Sequence, residues 1–392
     1  MFNLKGYLLS FLINIDEHLR LRNEYMKIAI LSNGESHTRT IVRALLDKGH
    51  EVFLITSNIE ENYDGINVEM LPFKGKIGYL FNLLTLRKIL KKTKPDILHA
   101  HYATGYGTLA HLAHYRPAVL SVWGSDVFDS YYSSIFIRAI VKWNLKYFDA
   151  LCCTSKVLIN RVKQIVPDIS RVSITPFCVD CREFYPIEKR HYNKDRIVIG
   201  AVKSLEAVYG IDILIKAFAS VLHLCNDKDI VLQIVGAGSQ EDDLRKLIME
   251  LEIGDKVFFL GRILHEEVPE FMRSIDIFAN LSRQESFGVS VIEASACGVP
   301  VIASDVGGLS EVVIHGKTGF LVPKENIEAA ARAITKIILD PDLATMMGKL
   351  GRTFVLENYN IDSMARYFEL AYSAVVSSNR NRQNKRGTCV KI

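Results

Sequence analysis

Gln284–Gly308 reads QESFGVSVIEASACGVPVIASDVGG. Beyond Phe287-Gly288, Val289, Ile292 and Ala296 share one stripe at helical spacing and Gly298 supplies a stop, which predicts a helix over Val289–Cys297. Val-Pro-Val-Ile-Ala-Ser follows at once with no polar alternation, as expected of a strand buried on both faces. A helix feeding such a strand is one unit of a parallel sheet. Two carboxylates interrupt this unit. Glu293 shares a second stripe with Ser290 and Cys297, able to face a cleft, and Glu285 sits just ahead of the helix. The helix start at Gly288–Val289 would turn its positive end toward whatever lies between them. A diphosphate suits such an end, and carboxylates suit sugar hydroxyls. Spacing alone equally allows a solvated loop residue at Glu285 and a surface helix residue at Glu293.

The same alternation runs along the chain. KIAILS, EVFLIT, DILHAH, AVLSVW, ALCCTS and VSITP read as strands, with helical periodicity over His37–Lys48, Ile77–Lys92 and Ile135–Phe148. Asp180–Arg196 is polar, charged and aromatic, and reads as a linker. RIVIGAV, IVLQIVG, KVFFLG, DIFANLS, VPVIAS and GFLVP then restart the pattern. The fold class is α/β: two doubly wound, Rossmann-like domains, 26–192 and 193–358. A C-terminal helix over 359–378 and a basic tail, 379–392, that reads as disordered complete the chain. Ligands of such sheets bind at the carboxyl ends of the strands, so two domains face to face make a deep cleft.

The 392 residues suit two domains, and 49% hydrophobic with 23% charged residues is a globular composition. A net charge of +4 is too mild for a nucleic-acid binder. The seven cysteines are irregularly spaced, which argues against a disulfide framework and for a reducing cytoplasm. Cys178-Val-Asp-Cys181 lacks a second pair, so zinc is not expected. No apolar run approaches the ~20 residues of a membrane span. The extension 1–25 carries apolar residues at helical spacing, and reads either as a packed helix or as one lying on a membrane surface.

Several strand ends carry groups suited to a ligand. Gly34 allows close backbone approach ahead of the helix near His37, while Gly236 and Gly238 suit a phosphate or ribose turn; neither stretch completes a dinucleotide fingerprint. His99 and His101 point to one face of a strand. Asp126, in WGSD, reads equally as a turn residue or a functional one. Asp227-Lys-Asp229 and Asp340-Pro-Asp342 lie in polar turns, so no metal site is expected there.

SRQESFGVSVIEASACGVPVIASDVGGLSEVV resembles the E-x7-E signature of family four retaining nucleotide-sugar glycosyltransferases, which have the GT-B fold. The resemblance extends through HGKTGFLVP and, more loosely, RALLDKGHEVFLIT, KPDILHAHYATGYG and VSITPFCVDCREFYP. It implies an acceptor-binding first domain, a donor-binding second domain and a last helix that crosses back to the first. Glu285 would contact the donor sugar. Ser286, Phe287, Gly288 and Val289 would line sugar and diphosphate, the last three through backbone N–H groups. Glu293 would accept the ribose hydroxyls, Ile263 would meet the base beside Arg262, and Gly34 and Gly236 would lie against the donor. His101 matches the active-site histidine; His37 and Asp126 fall near the acceptor.

The implied reaction moves a hexosyl unit from a UDP- or GDP-sugar to a hydroxyl. The acceptor would be a glycan or lipid-linked glycan of cell-surface polysaccharide, lipopolysaccharide or glycolipid synthesis. Neither metal nor cofactor is required, and the setting is cytoplasmic, at most peripheral at the inner face of the membrane. An epimerase of the same fold and a non-catalytic sugar-nucleotide binder are the alternatives. The sequence departs from the pattern at Lys203, in place of arginine, at Tyr209, in place of the second cation, and at Cys178, in place of glycine.

Overall fold

The computed structural model describes residues 25–59, 63–128, 130–187 and 196–388. The extension 1–25 lies outside these except for Tyr25, as does part of the linker. The first sheet contains β1 (Lys27–Leu31), β2 (Glu51–Thr56), β3 (Asn67–Met70), β4 (Ile97–His101), β5 (Ala118–Val122), β6 (Ala150–Cys153) and β7 (Val172–Ile174). The second contains β8 (Arg196–Val202), β9 (Asp229–Val235), β10 (Val257–Gly261), β11 (Ile277–Asn280), β12 (Val301–Ser304) and β13 (Gly319–Val322). Every pairing is parallel, in the orders β3-β2-β1-β4-β5-β6-β7 and β10-β9-β8-β11-β12-β13. Both sheets reverse direction beside their first strand. The switch points therefore lie between β1 and β4 and between β8 and β11, where a crevice opens at the strands' carboxyl ends.

The continuous apolar runs form these strands because helices cover both faces: β4, β5 and β6 are buried along their whole length. The edge strand β3 is absent from the sequence reading, since Asn-Val-Glu-Met carries no apolar run and is half exposed. The periodicity over Ile77–Lys92 resolves into two helices, Gly75–Phe81 and Leu83–Thr93. Buried Asn82 interrupts them: its amide accepts from the Phe73 N–H at 3.1 Å and donates to the Phe73 carbonyl at 2.8 Å.

The chain end also differs from expectation. The last helix spans Ile361–Thr388, so the tail continues as helix beyond 378 rather than losing structure there. No glycine or proline interrupts the sequence between Ser377 and Arg386. This helix returns to the first domain. Lys48 pairs with Asp362 at 2.6 Å, and His50 Nε2 meets Glu369 at 3.1 Å. Fully buried Tyr372 places its hydroxyl 2.7 Å from His99 Nδ1, while His99 Nε2 lies 2.8 Å from the Ser121 hydroxyl. Removing the Tyr372 hydroxyl leaves a buried ring nitrogen without its partner. Tyr372→Phe should therefore cost about 1–2 kcal/mol, read as a lower urea midpoint; an unchanged midpoint would show that the contact contributes nothing.

Candidate active site

His101 ends β4 at the first switch point. It is fully buried, with Nδ1 2.7 Å from the Ser32 hydroxyl and 3.4 Å from that of Thr38. Its ring lies between those of His99 and Trp123, at 4.6 and 4.5 Å. Burial, assisted by His99, pulls its pKa well below the usual value, so the imidazole is neutral. Nε2 has no hydrogen-bond partner among the described residues. Gly34, after β1, donates its N–H to Asn58 O at 3.1 Å, and a side chain there would meet that oxygen at 2.6 Å.

His37 stacks on Phe177 at 4.4 Å, and burial with the nearby His265 of the second domain lowers its pKa to about 4. Asp126 is spent on the backbone. Its carboxylate accepts from Ala103 N at 2.8 Å and Gly124 N at 2.9 Å, and only 1% of the residue is exposed. The geometry therefore makes Asp126 a brace between the loops after β4 and β5, not a group presented to a cleft.

Across the interface, Gly288 takes φ +106° and starts a helix over Val289–Ala296, with Cys297 as its cap. The two-stripe expectation fails in one respect: Ser290 to Ala296 are all buried, because the helix is packed on every side. Glu285 pairs with the ammonium of Lys203, and its second contact is the Ser282 hydroxyl at 3.4 Å. Ser282 in turn donates to Asn280 Oδ1 at 2.7 Å, and Asn280 Nδ2 is buried without a partner among the described residues. A methyl on Gly307 would lie 1.9 Å from Glu285 O, and one on Gly308 2.4 Å from Ser286 O, so this Gly-Gly pair lets two backbones touch. Gly236, at φ +141°, comes equally close to Lys203, where a methyl would stand 1.8 Å from the carbonyl. Arg262 is exposed after β10, and Ile263 packs against the core.

Glu293 is 6% exposed, and its carboxylate has no hydrogen-bond partner among the described residues. Burial raises its pKa to about 7 against the pull of Lys203. Phe287, buried, sets its ring against Phe177 at 5.7 Å and Tyr359 at 5.6 Å, while Phe177 lies 5.4 Å from Trp123. Aromatic side chains thus run from His101 to the donor-side loop. Ser155 Oγ donates to Ser286 O at 2.7 Å, and Glu311 caps Lys156 N and Val157 N at 3.1 and 3.2 Å, closing one domain on the other.

Several participants escaped the sequence reading. Ser32, Thr38, Trp123 and Glu311 meet partners distant in the chain, whereas Asn280 holds nearby Ser282; a polar residue ending an apolar strand, as at Asn280, was the available signal. One member of each Asp-x-Asp pair has a structural partner: Asp340 caps the next helix through Leu343 N at 2.9 Å, and Asp229 pairs with Arg196 and Lys256. Among the described residues no group of three His, Cys, Asp or Glu could hold a metal ion. Cys178 is a buried free thiol outside the left-handed region, so it does not need glycine's freedom.

A family model described as Glycosyl transferases group 1 matches residues 186–354, and one described as Glycosyl transferase 4-like matches 27–155. The chain belongs to the group 1 glycosyltransferases. This transferase is 25% identical over 361 residues to N-acetyl-alpha-D-glucosaminyl L-malate synthase of Bacillus anthracis, covering 86% of this chain and 93% of that one. It is 33% identical over 186 residues to the GDP-mannose-dependent alpha-(1-6)-phosphatidylinositol monomannoside mannosyltransferase of Mycobacterium tuberculosis, 46% of this chain and 48% of that one. The transferase also shares the fold of Anabaena Alr3699/HepE in complex with UDP and glucose, with a TM-score of 0.75 at 20% identity over 89% of this chain and 100% of that one.

Glu293 gives the transferase a pH signature. Its pKa rises from 4.5 to about 7 on folding, so the folded state favours the neutral acid. That contribution is complete below 4.5 and is lost as pH rises through 7. Glu293→Gln cannot ionise. Its stability relative to the parent should therefore rise by about 2–3 kcal/mol between pH 5 and 8 in urea unfolding. A constant offset would contradict the shift.

Proposed function

We propose that the enzyme transfers a hexosyl unit from a UDP- or GDP-sugar to a hydroxyl of a lipid-linked glycan, retaining the anomeric configuration. The supporting observation is the constellation of Lys203, Glu285 and Glu293 around the start of the helix at Gly288. Glu285 holds the donor sugar's hydroxyls. Phe287, Gly288 and Val289 offer backbone N–H groups to the diphosphate, whose charge Lys203 and the helix end share. Glu293 accepts the ribose hydroxyls, Ile263 meets the base through its backbone beside Arg262, and Gly34 and Gly236 keep backbone close to the donor. His101 Nε2, unpartnered, is left for substrate, and His37 flanks the acceptor. The anomeric carbon–phosphate oxygen bond breaks as the acceptor oxygen bonds on the same face, and the acceptor proton passes to the leaving phosphate. Closure of the domains excludes water. This scheme requires no metal, and turnover unaffected by EDTA is its expected behaviour.

Exposed apolar and basic groups on the first domain favour an acceptor at an anionic membrane surface. The helix Ile135–Tyr147 exposes Ile135 (74%), Phe136 (77%) and Trp143 (46%) beside Arg138, Lys142 and Lys146. Leu80, Phe81 and Leu84 are exposed near Lys88, Lys91 and Lys92. Both sets of helices pack against the helix Gly105–Ala113, which places them on one layer. No described helix is long and apolar enough to cross a membrane, so contact would be peripheral.

The deciding experiment screens nucleotide release from UDP- and GDP-sugars with and without membrane extract. Donor-specific release with a glycosylated lipid product is expected, and Glu285→Ala should lower turnover about 10²- to 10³-fold while nucleotide still binds. No release and no thermal shift with any nucleotide would overturn the reading; release without acceptor product would favour an epimerase. Flotation should show binding to anionic but not neutral vesicles, with loss in Phe136→Ser/Trp143→Ser; equal flotation of parent and variant would remove the membrane surface.

A further inference from the structure

Tyr209 stands where the family resemblance leads to a second cation. Its ring centroid lies 4.6 Å from the Lys203 ammonium, which also pairs with Glu285. The side chains of Lys203 and Glu285 are only 15% and 11% exposed, so water screens these contacts weakly.

The turn that carries the ring is fastened to the loop that carries Glu285. Arg283 N donates to Val208 O at 2.8 Å, and its guanidinium donates to Ala207 O at 2.6 Å. The same guanidinium grips both oxygens of Asp212 at 2.8 Å. Gly210, at φ +63°, follows Tyr209; a methyl there would stand 2.1 Å from Leu281 O. The phenol ring therefore has a fixed place relative to Glu285. A second ammonium at this position would repel Lys203, whereas the electron-rich face of a ring attracts it without adding charge.

We propose that Tyr209 is a positioning residue whose ring face holds the Lys203 ammonium at the mouth of the donor site, so that one cation performs the neutralisation usually shared by two. Glu285 and the ring hold the ammonium between them. When a nucleoside diphosphate enters, the ammonium exchanges Glu285 for phosphate oxygen while staying on the ring, and Glu285 is released to the sugar hydroxyls. This inference rests on the donor-site reading above.

The test is a double-mutant cycle between Tyr209 and Lys203, using UDP and GDP binding and the donor KM and kcat. Tyr209→Phe keeps the face and should retain most of the affinity. Tyr209→Leu keeps apolar bulk without the face and should bind the preferred nucleotide about five- to tenfold more weakly, with KM rising more than kcat falls. In a Lys203→Met background, Tyr209→Leu should have no further effect. Equal affinity in parent and Tyr209→Leu, equal damage from Phe and Leu, or additivity with Lys203→Met would each overturn the proposal. Failure of the donor-site reading itself would look different, because the parent protein would bind neither nucleotide.

Discussion

Where Gly307 and Gly308 pass the loop of Glu285 and Ser286, backbone lies on backbone with no space for a Cβ on either glycine. The Gly308 N–H seals this approach by donating to Glu285 O at 3.0 Å. The loop leaving β11 is thereby fastened to the loop leaving β12. That contact fixes where the Glu285 carboxylate meets Lys203, where Gly288 turns into its helix, and where the Ser286 carbonyl receives Ser155 from the other domain. A flexible loop would have to be ordered on binding, at the cost of its conformational entropy. Here that ordering is built into the fold.

Charge is distributed unevenly across the interface. On the first domain, burial keeps His37, His99 and His101 well below their usual pKa, so those imidazoles are neutral. On the second, Lys203 pairs with Glu285 and acts on Glu293, with the start of a buried helix beside them. Ionisable charge is thus concentrated on the second domain's side of the interface, as one ammonium and two carboxyl groups beside a helix start. Asymmetry of this kind comes from burial as much as from which residues are present.

Much of the architecture was legible in the chain. Continuous apolar runs fixed every strand of both sheets except β3, whose half-exposed edge position requires no such run. Gly298, at φ +70°, stops the helix where a glycine stop was expected. Local pattern failed where a distant partner decided the outcome. Asn82 splits one helical stretch because its amide finds Phe73. Asp126, equally a turn residue or a functional one by sequence, is buried with the Ala103 and Gly124 N–H groups converging on it. Glu293 looked free to be a surface residue until every face of its helix was packed.

By itself the sequence determined the alternation of strand and helix, the two-domain division and the spacing of two glutamates about a helix start. All of these are encoded in residues a few positions apart, where periodicity and turn chemistry act. Only the tertiary structure decided that Lys203 faces Glu285 across 82 positions, that Tyr209 lies on Lys203, and that Tyr372 reaches His99 across 273 positions. Such contacts form because parallel strands bring remote carboxyl ends to one edge of a sheet, and because burial there makes each charge depend on the partner the fold supplies.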